Sequence, residues 1–179
     1  ATIENISTSG SVTGSGGRVG GIIGRRQAEV TGSSSSAAVS ADATFSYAGG
    51  LIGQATGSIE ASSASGSVSG QVYVGGLVGD ASAPIRSSSA TGEISGAIVG
   101  VGGLAGQSSS SITDSHATGD VSASSTTDAV GGLVGNMNAA GESIQRSFSS
   151  GTVQVGNGSG SDYIGGLVGD LQNGSVSDS

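Results

Sequence analysis

Few side chains in this sequence are suited to acid–base or nucleophilic chemistry. The 179 residues contain one histidine, His116, and neither cysteine nor lysine. A catalytic serine needs a base within reach. His116 occupies a variable position of an internal repeat, where we align it with Thr8, Ser63, Ser88 and Phe148. We therefore interpret it as an outward-facing side chain.

The acidic residues also lack the pairing that hydrolysis of a glycan requires. Asp80, Asn136 and Asp170 each follow a glycine-rich motif directly, where other copies have Arg25, Gln54 and Gln107. Stacked copies would place Asp80 between two glutamines, which predicts a solvated or amide-lined corner. The nine-residue calcium-binding repeat has a period about a third of the one found here. We predict no enzyme, no cofactor and no dedicated metal site, with a glycan-cleaving solenoid as the alternative.

Composition excludes further classes. The formal net charge is −8 and arginines are the only cations, five in all, which excludes a nucleic-acid footprint. No apolar run approaches the ~20 residues of a membrane span, so no membrane insertion is expected. With 36 glycines and only five Phe or Tyr residues, the core must be narrow and lined by small and aliphatic side chains.

A five-residue glycine motif recurs six times. It starts at Gly20, Gly49, Gly75, Gly102, Gly131 and Gly165, with spacings of 29, 26, 27, 29 and 34 residues. The last spacing contains the longest insertion, around Val155 to Asp162. A period of this size predicts a chain built by stacking one unit.

A second segment with Ile, Ser, Gly and Val at fixed places lies between the glycine motifs, as in SITDSHATGDVSA from Ser111. In the degenerate second copy we place Val30 and Val39 at its aliphatic positions. Short period-two segments between Gly and Ser turns predict strands, about three in each repeat. The sequence therefore predicts an all-β protein, a parallel β-solenoid of about six or seven coils of 26 to 34 residues. We expect right-handed winding and a single solenoid domain over residues 1–179.

Equivalent residues of stacked coils should form ladders. The residue before each glycine motif (Val19 in the first copy) and the fourth residue of the motif (Ile23) share parity and should point inward. The third motif position has the opposite parity. Either a bend at the Gly-Gly pair turns it into the core, which we favour, or it forms an apolar lateral surface for assembly. This possible lateral ladder consists of Ile22, Leu51, Leu77, Leu104, Leu133 and Leu167.

These motifs resemble a known bacterial repeat. The segment Gly102–Ala123, GGLAGQSSSSITDSHATGDVSA, is similar to the GLUG motif, and the resemblance extends over nearly the whole chain. GLUG repeats occur in tandem in large secreted and cell-surface proteins, including adhesin-like proteins and some immunoglobulin-A-cleaving proteases. The resemblance implies an extracellular β-solenoid, bacterial or archaeal, and brings no catalytic residue with it.

The first and last repeats are interrupted and neither looks like a capping repeat, which solenoids normally need. Uncapped edges are templates for adding strands. The sequence is compatible with a piece of a longer rod, a self-contained monomer or a subunit that stacks head-to-tail with copies of itself. We favour the filament or long rod over the self-contained monomer. For a subunit that stacks head-to-tail, we expect the ladders to continue between chains through Ile3, Ile6, Val12, Val168 and Val176.

Three functions are compatible with these patterns. The first is an extracellular structural protein, a rod or filament subunit in a surface fibre, a biofilm matrix or an adhesin stalk, with itself as partner. The second is a ligand-binding solenoid face for ice or surface glycans, where Thr91 and Thr118 align with Ser65 and Ser150. The third is an enzyme acting on glycans.

Overall fold

The computed structural model describes residues 2–124, 126–156 and 163–179. These residues form a parallel β-solenoid whose short strands are arranged in five sheets. The described residues contain no helix, and therefore none that could cross a membrane. The predicted all-β parallel solenoid is confirmed, whereas its right-handed winding stays a prediction. Most of the predicted insertion, residues 157–162, lies outside the described residues.

Each coil passes through the five sheets in the same order, which we label A to E. Sheet A has seven strands: β1 (Ile3–Glu4), β6 (Val30–Thr31), β11 (Ile59–Glu60), β16 (Ile85–Arg86), β21 (Ile112–Thr113), β26 (Ser143–Gln145) and β31 (Ser175–Ser177). Sheet B has six: β2 (Ser7–Thr8), β7 (Ser34–Ser35), β12 (Ser63–Ala64), β17 (Ser89–Ala90), β22 (His116–Ala117) and β27 (Phe148–Ser149). Sheet C has six: β3 (Ser11–Gly14), β8 (Ala38–Ala41), β13 (Val68–Ser69), β18 (Ile94–Gly96), β23 (Val121–Ala123) and β28 (Val153–Val155).

The glycine motif supplies the other two sheets. Sheet D has six strands: β4 (Arg18–Gly20), β9 (Tyr47–Gly49), β14 (Tyr73–Gly75), β19 (Gly100–Gly102), β24 (Ala129–Gly131) and β29 (Tyr163–Gly165). Sheet E has six: β5 (Ile23–Arg26), β10 (Ile52–Ala55), β15 (Val78–Ala81), β20 (Ala105–Ser108), β25 (Val134–Asn138) and β30 (Val168–Gln172). A coil thus has five strands, and the predicted three is wrong because both halves of the repeat bend in the middle.

The bend between sheets A and B is a left-handed corner. Its residue has a positive φ in every coil: Asn5 (56°), Gly32 (57°), Ala61 (48°), Ser87 (48°), Asp114 (52°), Arg146 (47°) and Asp178 (55°). A non-glycine residue in this region costs roughly 1–2 kcal/mol. Since six of these seven residues are not glycine, the corner is imposed by the surrounding contacts rather than by local preference.

The bend between sheets D and E brings two backbones together. A Cβ atom on Gly79 would lie 2.6 Å from the carbonyl oxygen of Gly53 and 2.8 Å from the backbone nitrogen of Ala48. Sheets normally pack about 10 Å apart through their side chains. Here the glycines of the motif remove those side chains, so sheet E folds back directly onto sheet D.

The interior consists of continuous aliphatic ladders. The ladder of Val19 runs along sheet D and that of Ile23 along sheet E, both with the predicted register. Val30 and Val39 also take their predicted places, beside Ile3 and Val12. The ladder of sheet D packs with that of sheet C in one cluster, and sheets A, B and E enclose the other.

The third position of the glycine motif belongs to the interior. Leu51, Leu77, Leu104 and Leu133 are completely buried. Ile22 and Leu167, at the two ends of the row, are partly buried and pack against the same cluster. The alternative of an exposed lateral ladder is therefore wrong, because the bend between sheets D and E turns this position into the core.

Candidate functional site

A buried serine ladder follows the left-handed corner. The backbone N–H of Ser115 donates to Oγ of Ser147 in the next coil (3.1 Å), and that hydroxyl donates to the carbonyl oxygen of Gln145 (2.8 Å). The ladder consists of Ser33, Ser62, Ser88, Ser115, Ser147 and Ser179. Each hydroxyl bridges its own corner and the neighbouring coil. Five of these serines are buried and Ser179, at the end of the ladder, is exposed. Their hydroxyls hold neighbouring coils together.

His116 lies on the outside of sheet B. Its ring stacks on Phe148 with centroids 5.0 Å apart and planes 4° apart. The register also pairs His116 with Ser89, so the alignment of His116 with Thr8 and Ser88 is wrong by one residue. Among the described residues no hydrogen bond joins the imidazole to an acid or a serine. The outward orientation of His116 is confirmed.

The column that follows the glycine motif has the predicted composition. It runs along sheet E as Arg25, Gln54, Asp80, Gln107, Asn136 and Asp170. Asp80 is only 9% exposed, and Nε2 of Gln54 donates to its Oδ2 over 2.8 Å. This column is an amide-lined corner in which carboxylates are separated by neutral residues, so it offers no acid–base pair.

An aromatic row runs beside that column on sheet D. The guanidinium of Arg18 lies 5.3 Å from the centroid of the Tyr47 ring, and the rings of Tyr47 and Tyr73 are 5.5 Å apart. Nε of Arg18 also donates to Gln54. Burial is the main cause that raises the pKa of Tyr73, with smaller contributions from Tyr47, Asp80 and Asp128. This row was not predicted from the sequence. Its members can nevertheless be found there, because each directly precedes the aliphatic residue that comes before a glycine motif.

Two residues of the left-handed corner, in neighbouring coils, form an ion pair. Nε and one terminal nitrogen of Arg146 donate to the two carboxylate oxygens of Asp114, over 2.7 and 2.9 Å. This hydrogen bonding holds the pKa of Asp114 below its usual range and raises that of Arg146. Both side chains are about half exposed, so the pair is a surface feature that is screened by solvent.

Hydroxyl groups cover the outside of sheet B in the first coils. A shallow trough of about 350 Å³ is lined by Ser and Thr alone: Ser7, Thr8, Ser9, Ser34, Ser35, Ser36, Ser63 and Ser65. The hydroxyls of Thr8 and Ser35 are buried in the inward-facing column of the sheet. Oγ of Ser7 and Oγ of Ser34 form a hydrogen bond of 2.9 Å along the row. In the later coils the equivalent positions of sheet B are no longer serine but His116 and Phe148.

The residues predicted for a head-to-tail contact lie in four different columns. Ile3 and Val176 occupy the two edge strands of sheet A, while Val168 lies in the column of sheet E that begins at Ile23. Val12 lies in the column of sheet C, and Ile6 holds the first place in the column of the serine ladder. Ile6 is 44% and Val176 39% exposed.

Within the described ranges no group of three or more His, Cys, Asp or Glu side chains is arranged to hold a metal ion. The arrangements that are present position backbone and side chains along the solenoid. They are hydrogen-bonded ladders that run from coil to coil.

Comparison with known families identifies the repeat. A family model described as the GLUG motif matches residues 46–69 and 98–122. The chain carries the GLUG motif. The resemblance based on Gly102–Ala123 is confirmed, and the first matched segment shows what one GLUG unit is. It begins just before β9 and ends with β13, so it covers one complete coil in the order D, E, A, B, C. No curated protein and no solved structure matched the chain.

Proposed function

We propose that this chain is a structural protein, a rigid extracellular rod that lengthens by adding further coils to its ends. The structural role is supported by the presence of GLUG repeats in a β-solenoid, which is a fold of structural type. We infer a place on the bacterial or archaeal surface, as a fibre subunit, a biofilm component or an adhesin stalk, and no enzymatic role. The partner that we propose is a second copy of the chain.

One observation carries the proposal, namely that within the described residues each sheet ends in a strand that has a neighbour on one side only. Interior ladder residues of sheet A such as Ile112 are fully buried, whereas Val176 at the edge is 39% exposed. In sheet D, Val130 is fully buried and its neighbour Ile164 is 56% exposed. A further coil would bury these side chains and pair the free backbone groups. Because such a head-to-tail contact does not close on itself, it gives a linear filament.

Self-association of the purified 179-residue chain tests the proposal. We expect the mean mass from light scattering to rise with concentration, and negative-stain microscopy to show rods of constant width and variable length. A chain that stays monomeric at high concentration and forms no rods would contradict assembly. Rods that join side by side without lengthening would contradict the head-to-tail contact.

The hydroxyl trough favours a second candidate, a ligand-binding face. Two oxygens that each lie about 2.8 Å from a shared water, at the tetrahedral angle, are about 4.6 Å apart, which is close to the coil repeat of about 4.8 Å. We propose ice as the ligand to test first, and surface glycans second. Thermal hysteresis would support ice binding, and retention on a glycan array would support carbohydrate binding. The substitution Ser63→Tyr should abolish either activity, whereas Thr113→Tyr on sheet A should not.

A further inference from the structure

The two ends of the solenoid carry opposite charges at equivalent positions. The column along sheet E begins with Arg25 and ends with Asp170, and all members between them are Gln, Asn or Asp. In sheet D, the neighbouring column begins with Arg18 and ends with Tyr163. Arg25 and Tyr163 are exposed, and Asp170 is half-buried. Each column thus ends in a group that attracts the group with which it begins.

We propose that the head-to-tail contact has one specific register, in which Asp170 of one copy pairs with Arg25 of the next and Tyr163 with Arg18. This inference rests on the proposed function and adds the contact that selects the partner and the direction. The same register places Val168 beside Ile23 and Ile164 beside Val19, so the two aliphatic ladders continue across the junction. Arg18 already contacts a tyrosine in this way within the chain, where it lies over Tyr47.

The register also explains how the sheets join. Sheet A has seven strands and the other four sheets have six. A copy that continues sheets B to E without a gap therefore finds its β1 and the partner's β31 competing for one place in sheet A. One of these two strands must leave the sheet. The choice affects only this edge, because the remaining four sheets pair in the same way with either strand in place.

Charge reversal provides the test. In Arg25→Asp, the new aspartate of one copy meets Asp170 of its neighbour. In Asp170→Arg, the new arginine meets Arg25 of the neighbouring copy. Like charges brought together across an interface weaken association, so we expect each variant alone to associate about tenfold more weakly or worse. An equimolar mixture should recover assembly as an alternating copolymer, since each tail then meets a head of opposite charge. The double variant Arg25→Asp/Asp170→Arg should assemble alone.

The control is Arg86→Asp, which makes the same change in net charge as Arg25→Asp but on sheet A in the middle of the rod, and which should associate like the unaltered chain. Circular dichroism and thermal unfolding show whether each variant folds. If the unaltered chain does not associate, the proposed function fails. Suppose instead that the unaltered chain associates, but neither single variant associates more weakly or the equimolar mixture does not recover assembly. The proposed register is then wrong, while the proposed function as a self-assembling rod still holds.

Discussion

The backbone N–H of Ser62 donates a hydrogen bond to Oγ of Ser88, one coil further along the solenoid, over 3.2 Å. The same hydroxyl donates to the carbonyl oxygen of Arg86 across the left-handed corner (2.7 Å). One buried hydroxyl therefore satisfies a donor of one coil and an acceptor of the next. Repetition of this unit fixes the register of the coils at the bend where the backbone is least favourable.

Replacing Ser88 by alanine should destabilise the solenoid. The change leaves the N–H of Ser62 buried without an acceptor, which costs about 1–3 kcal/mol. Urea unfolding followed by circular dichroism measures the loss. Ser89→Ala is the matched control, because Ser89 points outward on sheet B and its loss should change the free energy of unfolding by less than about 0.5 kcal/mol. Equal effects of the two variants would show that the ladder does not contribute.

The fold could be predicted largely from the glycine motif and the aliphatic positions, since both recur with the period of the coil. The places of Val30 and Val39 in the sheets were predicted correctly, even though the repeat that contains them is degenerate. The number of strands could not be predicted, because the left-handed corner falls on residues as different as Ala61, Asp114 and Arg146. No residue preference marks that bend, which is held instead by the serine that follows it in every coil but the first, where Ile6 takes that place.

The site was less predictable than the fold. The amide column could be predicted because its residues follow the glycine motif at a constant offset. The serines of the buried ladder recur visibly in the sequence. Their role in bridging two coils could not be predicted, because it depends on the left-handed corner. The hydrogen bond from Arg18 to Gln54 depends on the close approach of sheets D and E, which no single sequence position indicates.

The glycines between sheets D and E should tolerate no side chain. In Gly79→Ala the added methyl group would meet the backbone of Gly53 and Ala48 at 2.6 and 2.8 Å. Because backbone atoms cannot move aside as a flexible side chain can, we expect a loss of about 1–3 kcal/mol in the free energy of unfolding. Gly16→Ala is the control, since no atom lies within 4 Å of a Cβ there. A Gly79→Ala variant as stable as Gly16→Ala would contradict the direct backbone packing.

The ion pair at the corner should give a measurable pH response. Hydrogen bonding to Arg146 lowers the pKa of Asp114 in the folded state, so its stabilising effect is complete above the unfolded pKa of about 3.9. The effect is lost as the pH falls through the lower folded pKa. In Arg146→Gln the pKa of Asp114, followed by NMR of its carboxyl carbon, should rise toward its ordinary value. Arg86→Gln should leave it unchanged, and a shift of equal size there would point to net charge rather than the pair.

Removing one of the two competing strands of sheet A should promote assembly. Deletion of residues 174–179 removes β31, and deletion of residues 1–5 removes β1; each leaves one strand for the single place at the junction. Neither variant has to expel a strand, so each should form rods at a lower protein concentration than the full chain, as measured by light scattering. Deleting both segments leaves sheet A one strand short at every junction and should weaken assembly below that of either single deletion. If both single deletions assemble less readily than the full chain, the two strands do not compete, and the junction has a different register.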